Sequence, residues 1–223
     1  MSHELRTPLN AISGYADLLV MGLYGAMTEA QQGALARIQK SQRHLLGLIN
    51  EVLNYARVDA GAVEYALRPV RVAEAVADAE ALVAPQLRAK GLGYTWAGCD
   101  PALAVQADSD KLQQILLNLL SNAVKFTNAR DGLPGRIEAG CDGAEDGRVR
   151  IRVRDTGVGI PPDKLAAVFE PFVQVRSDLT RPHEGTGLGL AISRELARGM
   201  GGDLAAESAV GVGSTFTLTL LAA

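Results

Sequence analysis

At 223 residues and 48% hydrophobic content, the chain is long enough for two modest domains, or for one good core with a satellite element, and longer than a single compact bundle requires. Its 22 basic residues nearly cancel 25 acidic ones, for a formal net charge of -3, so no broad basic face is available and nucleic acid is excluded as a partner. Cys99 and Cys141 lie far apart without C-x-x-C spacing, which indicates neither a disulfide framework nor a zinc site and points to a reducing compartment.

The longest apolar runs, such as LLVMGLYGAM at 18–27, are broken by glycine and fall short of the roughly 20 residues a membrane span needs. No basic start, apolar stretch and small-residue cleavage site mark a secretory signal. The segment is therefore expected to be cytoplasmic and to make no membrane contact. Because the first motif begins at Ser2, the opening helix is expected to continue upstream in a longer parent protein.

Apolar residues at Leu5, Leu9, Ile12, Ala16 and Leu19, then Leu35, Ile38, Leu45, Ile49, Val52 and Ala56, alternate spacings of three and four around one polar seam position, Gln42. That is the repeat of helices packed side by side, and predicts a two-helix hairpin. Thr28 and Gln31 read as a capping box opening the second helix, which ends near Gly61. A lone hairpin buries one stripe, so a homodimeric four-helix bundle is expected. His3 and Thr7 fall on the outer side of the first helix. Pro8 removes the hydrogen bond to the Glu4 carbonyl and predicts a kink beside them.

Beyond a linker at 61–69, shorter elements predict a second domain, giving domains at 1–64 and 65–223. The expected order is a strand at 63–67, a helix at 72–90, strands at 92–98 and 102–108, and a helix at 108–126. Strands at 135–141 and 148–156, helices at 161–169 and 188–200, and a closing hairpin of strands at 203–209 and 214–222 complete it. Mixed strands with helices on one face make an α/β sandwich of the α+β class.

Three segments here carry chemistry. NLLSNAVKFT sets Asn118 and Asn122 one turn apart with Lys125 near the same side. An asparagine amide oxygen can ligate Mg²⁺ and a lysine can meet phosphate, although polar residues on an amphipathic helix are more often a solvated face. In RVRIRVRDTGVGI a strand ends on Asp155 and runs into Gly157 and Gly159. There a carboxylate could accept from an exocyclic amine beside backbone that admits a flat base, or the segment is an ordinary turn. EGTGLGLAIS opens a helix behind Gly185, Gly187 and Gly189, and free amides at a helix start favour a phosphate chain. The polar, aperiodic stretch at 173–184 before it reads as a lid.

In order, SHELRTPLNAI, NLLSNAVKFT, DTGVGI, FEPFVQV and GTGLGLAIS resemble the H, N, first glycine, F and second glycine boxes of sensor histidine kinases, across essentially the whole chain. The resemblance implies a dimerisation and histidine phosphotransfer hairpin followed by an ATP-binding domain of the GHKL/HATPase type, shared with gyrase, mismatch-repair and heat-shock ATPases. It implies His3 as phosphoacceptor, Glu4 as the carboxylate that assists it, and Thr7 as a residue positioning water when phosphate is removed from a partner. Asn122 would hold Mg²⁺, Asn118 and Lys125 would support the ATP phosphates, and Asp155 would recognise the adenine amino group. Gly157, Gly159, Gly185, Thr186, Gly187, Leu188 and Gly189 would shape the pocket, Thr215 would border the base, and Arg181 would reach a phosphate from the lid. Phe169 and Phe172 would anchor the lid as buried core residues.

The implied reaction is ATP-dependent autophosphorylation of His3 followed by transfer to an aspartate of a response regulator. The rivals are an ATPase that uses nucleotide closure mechanically and a non-catalytic scaffold. Gyrase-like relatives carry a glutamate one turn before the magnesium asparagine. This chain has Asn118 there, and an amide cannot serve as general base.

Overall fold

The computed structural model describes residues 2–129, 133–143, 146–174 and 186–223, with side chains from residue 7 onward. They fall into two compact units, Met1–Arg57 and Val58–Ala223. The first is the hairpin of α1 (Ser2–Val20) and α2 (Glu29–Asp59), with Pro8 inside α1. The capping box forms: Thr28 Oγ1 accepts from the Gln31 amide at 3.3 Å and Gln31 Oε1 accepts from the Thr28 amide at 2.8 Å. Along the heptad stripe, Leu9, Ala16, Leu35 and Gln42 are buried, whereas Ile12, Ile38, Leu45 and Val52 are 43–53% exposed. Gln42 Nε2 donates to the Leu9 carbonyl at 3.1 Å. The hairpin thus buries one half of its repeat and leaves the other half facing outward.

The second unit begins its regular structure with β1 (Arg68–Arg71), which pairs antiparallel with β3 (Ala104–Ala107) in a small two-stranded sheet. Between them lie α3 (Val72–Lys90) and β2 (Gly93–Trp96). The main sheet has the order β2-β4-β5-β7-β6, where β4 is Arg136–Gly143, β5 Arg148–Asp155, β6 Asp203–Ala209 and β7 Gly213–Leu221. Among the described residues only β2 and β4 run parallel. On β5 the alternation is strict: Val149, Ile151, Val153 and Asp155 are buried, and the arginines between them face the other side. The helical layer is α3, α4 (Ser109–Phe126) and α5 (Gly189–Gly199). α4 turns Leu112, Ile115, Leu116, Leu119 and Leu120 inward, each at most 1% exposed, and their spacing of three and four is the apolar face of a core helix.

Three expectations are corrected. Residues 63–67 are not a strand, because pairing starts only at Arg68; the Ala66 amide instead donates to Asp108 Oδ2 at 3.0 Å. Residues 161–169 do not make one helix but two 3₁₀ turns, Pro162–Lys164 and Ala167–Phe169, closed by i to i+3 bonds from Leu165 to Pro162 and from Glu170 to Ala167. Cys99 and Cys141 form a disulfide across a Cα separation of 5.2 Å. Sheet register brings them together: the Ala97 amide bonds the Ala139 carbonyl at 2.8 Å and the Cys141 amide the Gly98 carbonyl at 3.4 Å, extending the β2–β4 pairing to both cysteines. Sequence separation alone carries no sign of that. Among the described residues no helix is long and apolar enough to cross a membrane.

Asp108 caps α4, its Oδ1 accepting from the amides of Asp110 at 3.0 Å and Lys111 at 3.2 Å. Burial works to raise its pKa, but the amides of Ala66, Lys111 and Asp110 outweigh it and hold the carboxyl below the ordinary carboxylate range. A depressed pKa means that the stabilisation is complete above the unfolded value and vanishes as pH falls through the folded one. Asp108→Ala is expected to lower the unfolding free energy by about 1–2 kcal/mol at pH 7. In urea melts across pH the gap from wild type should close in strongly acid solution.

Candidate functional site

The site grows from α4, whose amino end is fixed by Asp108 and whose carboxyl end is held by Lys90. The Lys90 ammonium, arriving from α3, donates to the carbonyls of Val124 at 2.8 Å, Lys125 at 2.9 Å and Thr127 at 3.4 Å. A cation on the last carbonyls of a helix offsets the negative end of its dipole. Asn118 Nδ2 donates to Ser193 Oγ of α5 at 2.9 Å, and Asn118 Oδ1 accepts from Asn122 Nδ2 at 3.3 Å. These two asparagines are therefore not a solvated face. The Lys125 ammonium stands 5.0 Å from the centroid of the Phe126 ring.

Where α4 ends, the loop after β5 docks on it. The Val158 amide donates to the Phe126 carbonyl at 3.3 Å. A Cβ on Gly157 would lie 2.5 Å from that carbonyl oxygen and 2.7 Å from Asp155 Oδ1, so only glycine fits. Gly159 has φ of 72°, and a Cβ there would overlap the Ala209 carbonyl of the β6–β7 turn. Two further bonds fasten this loop to the hairpin of β6 and β7: Gly211 amide to Val158 carbonyl at 2.8 Å, and Ile160 amide to Ser208 Oγ of β6 at 2.7 Å.

Asp155 is 5% exposed, and its Oδ1 accepts from the Gly157 amide at 2.8 Å. Burial raises its pKa above the usual carboxylate value, against the lowering effect of the Gly157 and Ser214 amides. Directly across the β5–β7 ladder stands Ser214, whereas Thr215 pairs with Arg154. Opposed residues share a face and successive ones alternate, so the expected role of Thr215 beside the base is corrected: Thr215 lies on the arginine side, and Ser214, 7% exposed, lies on the Asp155 side. Its Oγ is 2.9 Å from Ser208 Oγ. The signal for Ser214 is present in the sequence, since counting back by two from Leu220, Leu218 and Phe216 reaches it.

Of the second glycine motif, Thr186 Oγ1 accepts from the Leu188 amide at 3.1 Å. Leu188 is fully buried, so its side chain does not face a ligand. Gly187 has φ of 74°, and its carbonyl accepts from the Phe172 amide at 3.1 Å. Gly189 lies so close to Asn118 that a Cβ would overlap the amide oxygen. α5 begins at Gly189 with no side-chain cap among the described residues, and the first amides of a helix have no partner within it. Phe169 is half-buried under the Arg194 guanidinium at 4.9 Å, and Phe172 is 60% exposed with φ of 64°. The expectation of two buried aromatics is thus corrected, because the first is a partly open cation–π partner and the second a surface residue.

His3 and Glu4 lie within α1, but their side chains fall outside the described residues, as do Arg181, Gly185 and most of the expected lid. Thr7 is exposed on α1. In the second unit, α4, the loop after β5 and the start of α5 converge through the contacts of Phe126 with Gly157 and of Asn118 with Gly189. A buried carboxylate on one side of α4 and a helix start packed against Asn118 on the other suit a base at one end and an anion at the other.

A raised carboxyl pKa sets the sign of its effect on stability: the favourable contribution is complete below the unfolded value and is lost as pH rises through the folded one. Asp155→Asn keeps an acceptor for the Gly157 amide while removing the buried charge. The variant is expected to melt above wild type at pH 7 by calorimetry, with an advantage that shrinks on acidification.

Comparison with known proteins matches a family to a segment at each end of the chain. Residues 1–61 match the His Kinase A (phospho-acceptor) domain, and residues 107–223 match the family of histidine kinase-, DNA gyrase B-, and HSP90-like ATPases. An uncharacterized sensor-like histidine kinase of Rhizobium meliloti (strain 1021) is 42% identical over 221 residues, which are 99% of this chain and 41% of the relative. The aerobic respiration control sensor protein ArcB of Escherichia coli (strain K12) is 39% identical over 225 residues, covering 99% of this chain and 28% of ArcB. The chain therefore spans less than half the length of these relatives. Full-length ShkA in complex with AMPPNP superposes with a TM-score of 0.85 at 38% identity, over 100% of this chain and 44% of ShkA. The mycobacterial sensor histidine kinase MprB superposes with a TM-score of 0.58 at 27% identity, over 70% of this chain and 97% of MprB.

Proposed function

Since the chain belongs to the sensor histidine kinases, joining a phospho-acceptor hairpin to an ATP-binding domain of the kind found in DNA gyrase B and HSP90, we propose that it moves the γ-phosphoryl group of ATP to a ring nitrogen of His3 and from there to an aspartate of a response regulator. The observation that carries this is the engagement of Asn118. At the position where hydrolytic relatives would need a carboxylate to activate water, an amide is fixed between Ser193 and Asn122, and it cannot take a proton. A pocket that binds ATP without a base for water favours an incoming nucleophile from elsewhere.

Asp155 accepts from the adenine amino group, a bond that is stronger to the carboxylate than to the protonated carboxyl, so a bound base offsets the burial that raises its pKa. The amides at the start of α5 face the phosphates, and Lys125 adds positive charge. For the divalent ion that accompanies ATP, the donor set is sparse but fitting: no cluster of three or more His, Cys, Asp or Glu exists among the described residues. Hard oxygen from Asn122 Oδ1, with the phosphates themselves, matches the way Mg²⁺ is usually held. When bound, Mg²⁺ offsets charge on the phosphates. Neutral His3 imidazole attacks in line, and Glu4 draws on the other ring nitrogen or takes its proton. Thr7 positions water for the reverse task of dephosphorylating the regulator.

The outward half of the heptad stripe, Ile12, Ile38, Leu45 and Val52, supports a second copy of the chain as its cover, making a four-helix bundle. Incubation with γ-labelled ATP and Mg²⁺ tests the reading. Acid-labile label on the protein that is lost in His3→Gln is the expected result. Release of free phosphate with no labelled protein would make the chain an ATPase instead, and neither product would make it a scaffold.

A further inference from the structure

We infer that Ser193 is a positioning residue which, acting through Asn118, fixes the end of the Asn122 side-chain amide that faces the nucleotide's cation. The inference rests on the reading that Asn122 holds that cation. Ser193 stands in α5 at 1% exposure, on a different element from the asparagines, yet its Oγ accepts from Asn118 Nδ2 at 2.9 Å. With that donor engaged, Asn118 turns its Oδ1 toward α4's next turn, where it accepts from Asn122 Nδ2 at 3.3 Å. A side-chain amide has one acceptor end and one donor end. Committing Nδ2 of Asn122 inward leaves Oδ1 as the end presented outward, and only an oxygen can ligate Mg²⁺. An amide turned the other way would offer two N–H groups to a cation.

The relay also needs its space. Gly189, one turn before Ser193 on the same helix, is where a Cβ would overlap Asn118 Oδ1. The third glycine of the motif is thus required for the amide to pass between α4 and α5, independently of any phosphate. Ser193 itself touches neither nucleotide nor metal in this account. Its loss leaves a part-buried Asn118 N–H group without the Ser193 acceptor, and such a group finds another arrangement in preference to remaining unpaired.

The test is equilibrium binding of a fluorescent ATP analogue to the whole chain, with Mg²⁺ and with a chelator, in wild type, Ser193→Ala, Ser193→Cys and Asn122→Ala. In Ser193→Ala the gain in affinity on adding Mg²⁺ is expected to fall by roughly five- to tenfold, the scale of one hydrogen bond. Affinity in chelator should stay within about twofold of wild type, by the same scale. Ser193→Cys, with a weak sulfur acceptor, should lie between, and it carries the test should the alanine variant not fold. A Mg²⁺-dependent gain equal to wild type in the serine variants, or equal losses with and without Mg²⁺, overturns the inference. Asn122→Ala separates the two readings. Should it leave the gain intact, the assignment of Asn122 to the cation fails; should it abolish the gain while the serine variants keep it, only the role of Ser193 fails.

Discussion

The buried carboxyl of Asp155 keeps its place because backbone passes backbone around it with no room for a methyl group. Behind it a Cβ on Gly213 of β7 would overlap the Asp155 carbonyl. Beside it Gly157 lies against the last turn of α4, and beyond that Gly159 lies against the β6–β7 turn. Gly213 sets β7 against β5, Gly157 sets the loop after β5 against α4, and Gly159 sets the same loop against the end of β6, so the surroundings of Asp155 come from several elements and not from any one of them. Burial of the carboxyl works against its ionisation, a cost that nucleotide can offset by donating to it.

The same economy governs α4. Its residues serve two faces: leucines and Ile115 in the core, and Asn118, Asn122 and Lys125 on the side that meets the glycine loops. Asp108 at one end and Lys90 at the other satisfy backbone groups that the helix leaves open. The helix is therefore held in place from α3, from the β3–α4 junction and from α5.

Much of this was legible in the sequence where a rule has a period or a fixed spacing. The heptads gave both helices of the hairpin, the Thr28–Gln31 box gave the start of α2, and the alternation of β5 gave a strand ending on Asp155. Legibility failed where partners come from elsewhere in the chain. Residues 63–67 have strand-like composition but find a side-chain partner in Asp108 and no ladder. Residues 161–169 have a helical pattern, but prolines open the segment and each turn closes after three residues. The disulfide depends on β2–β4 register, which no cysteine spacing encodes. Thr215 was one residue out of phase with the buried face, a slip that strand periodicity makes costly because it exchanges the two sides of the sheet.

The central claim is that Asp155 reads the amino group of adenine from within this glycine-walled pocket. It is tested most directly by comparing the affinities of ATP and inosine triphosphate, which carries an oxygen in place of that amine, for wild type and Asp155→Asn. Wild type should bind ATP more tightly, by about tenfold or more for a buried hydrogen bond to a charged group, and the asparagine variant, able to donate as well as accept, should lose or reverse that preference. Equal affinity of wild type for the two nucleotides would contradict the account.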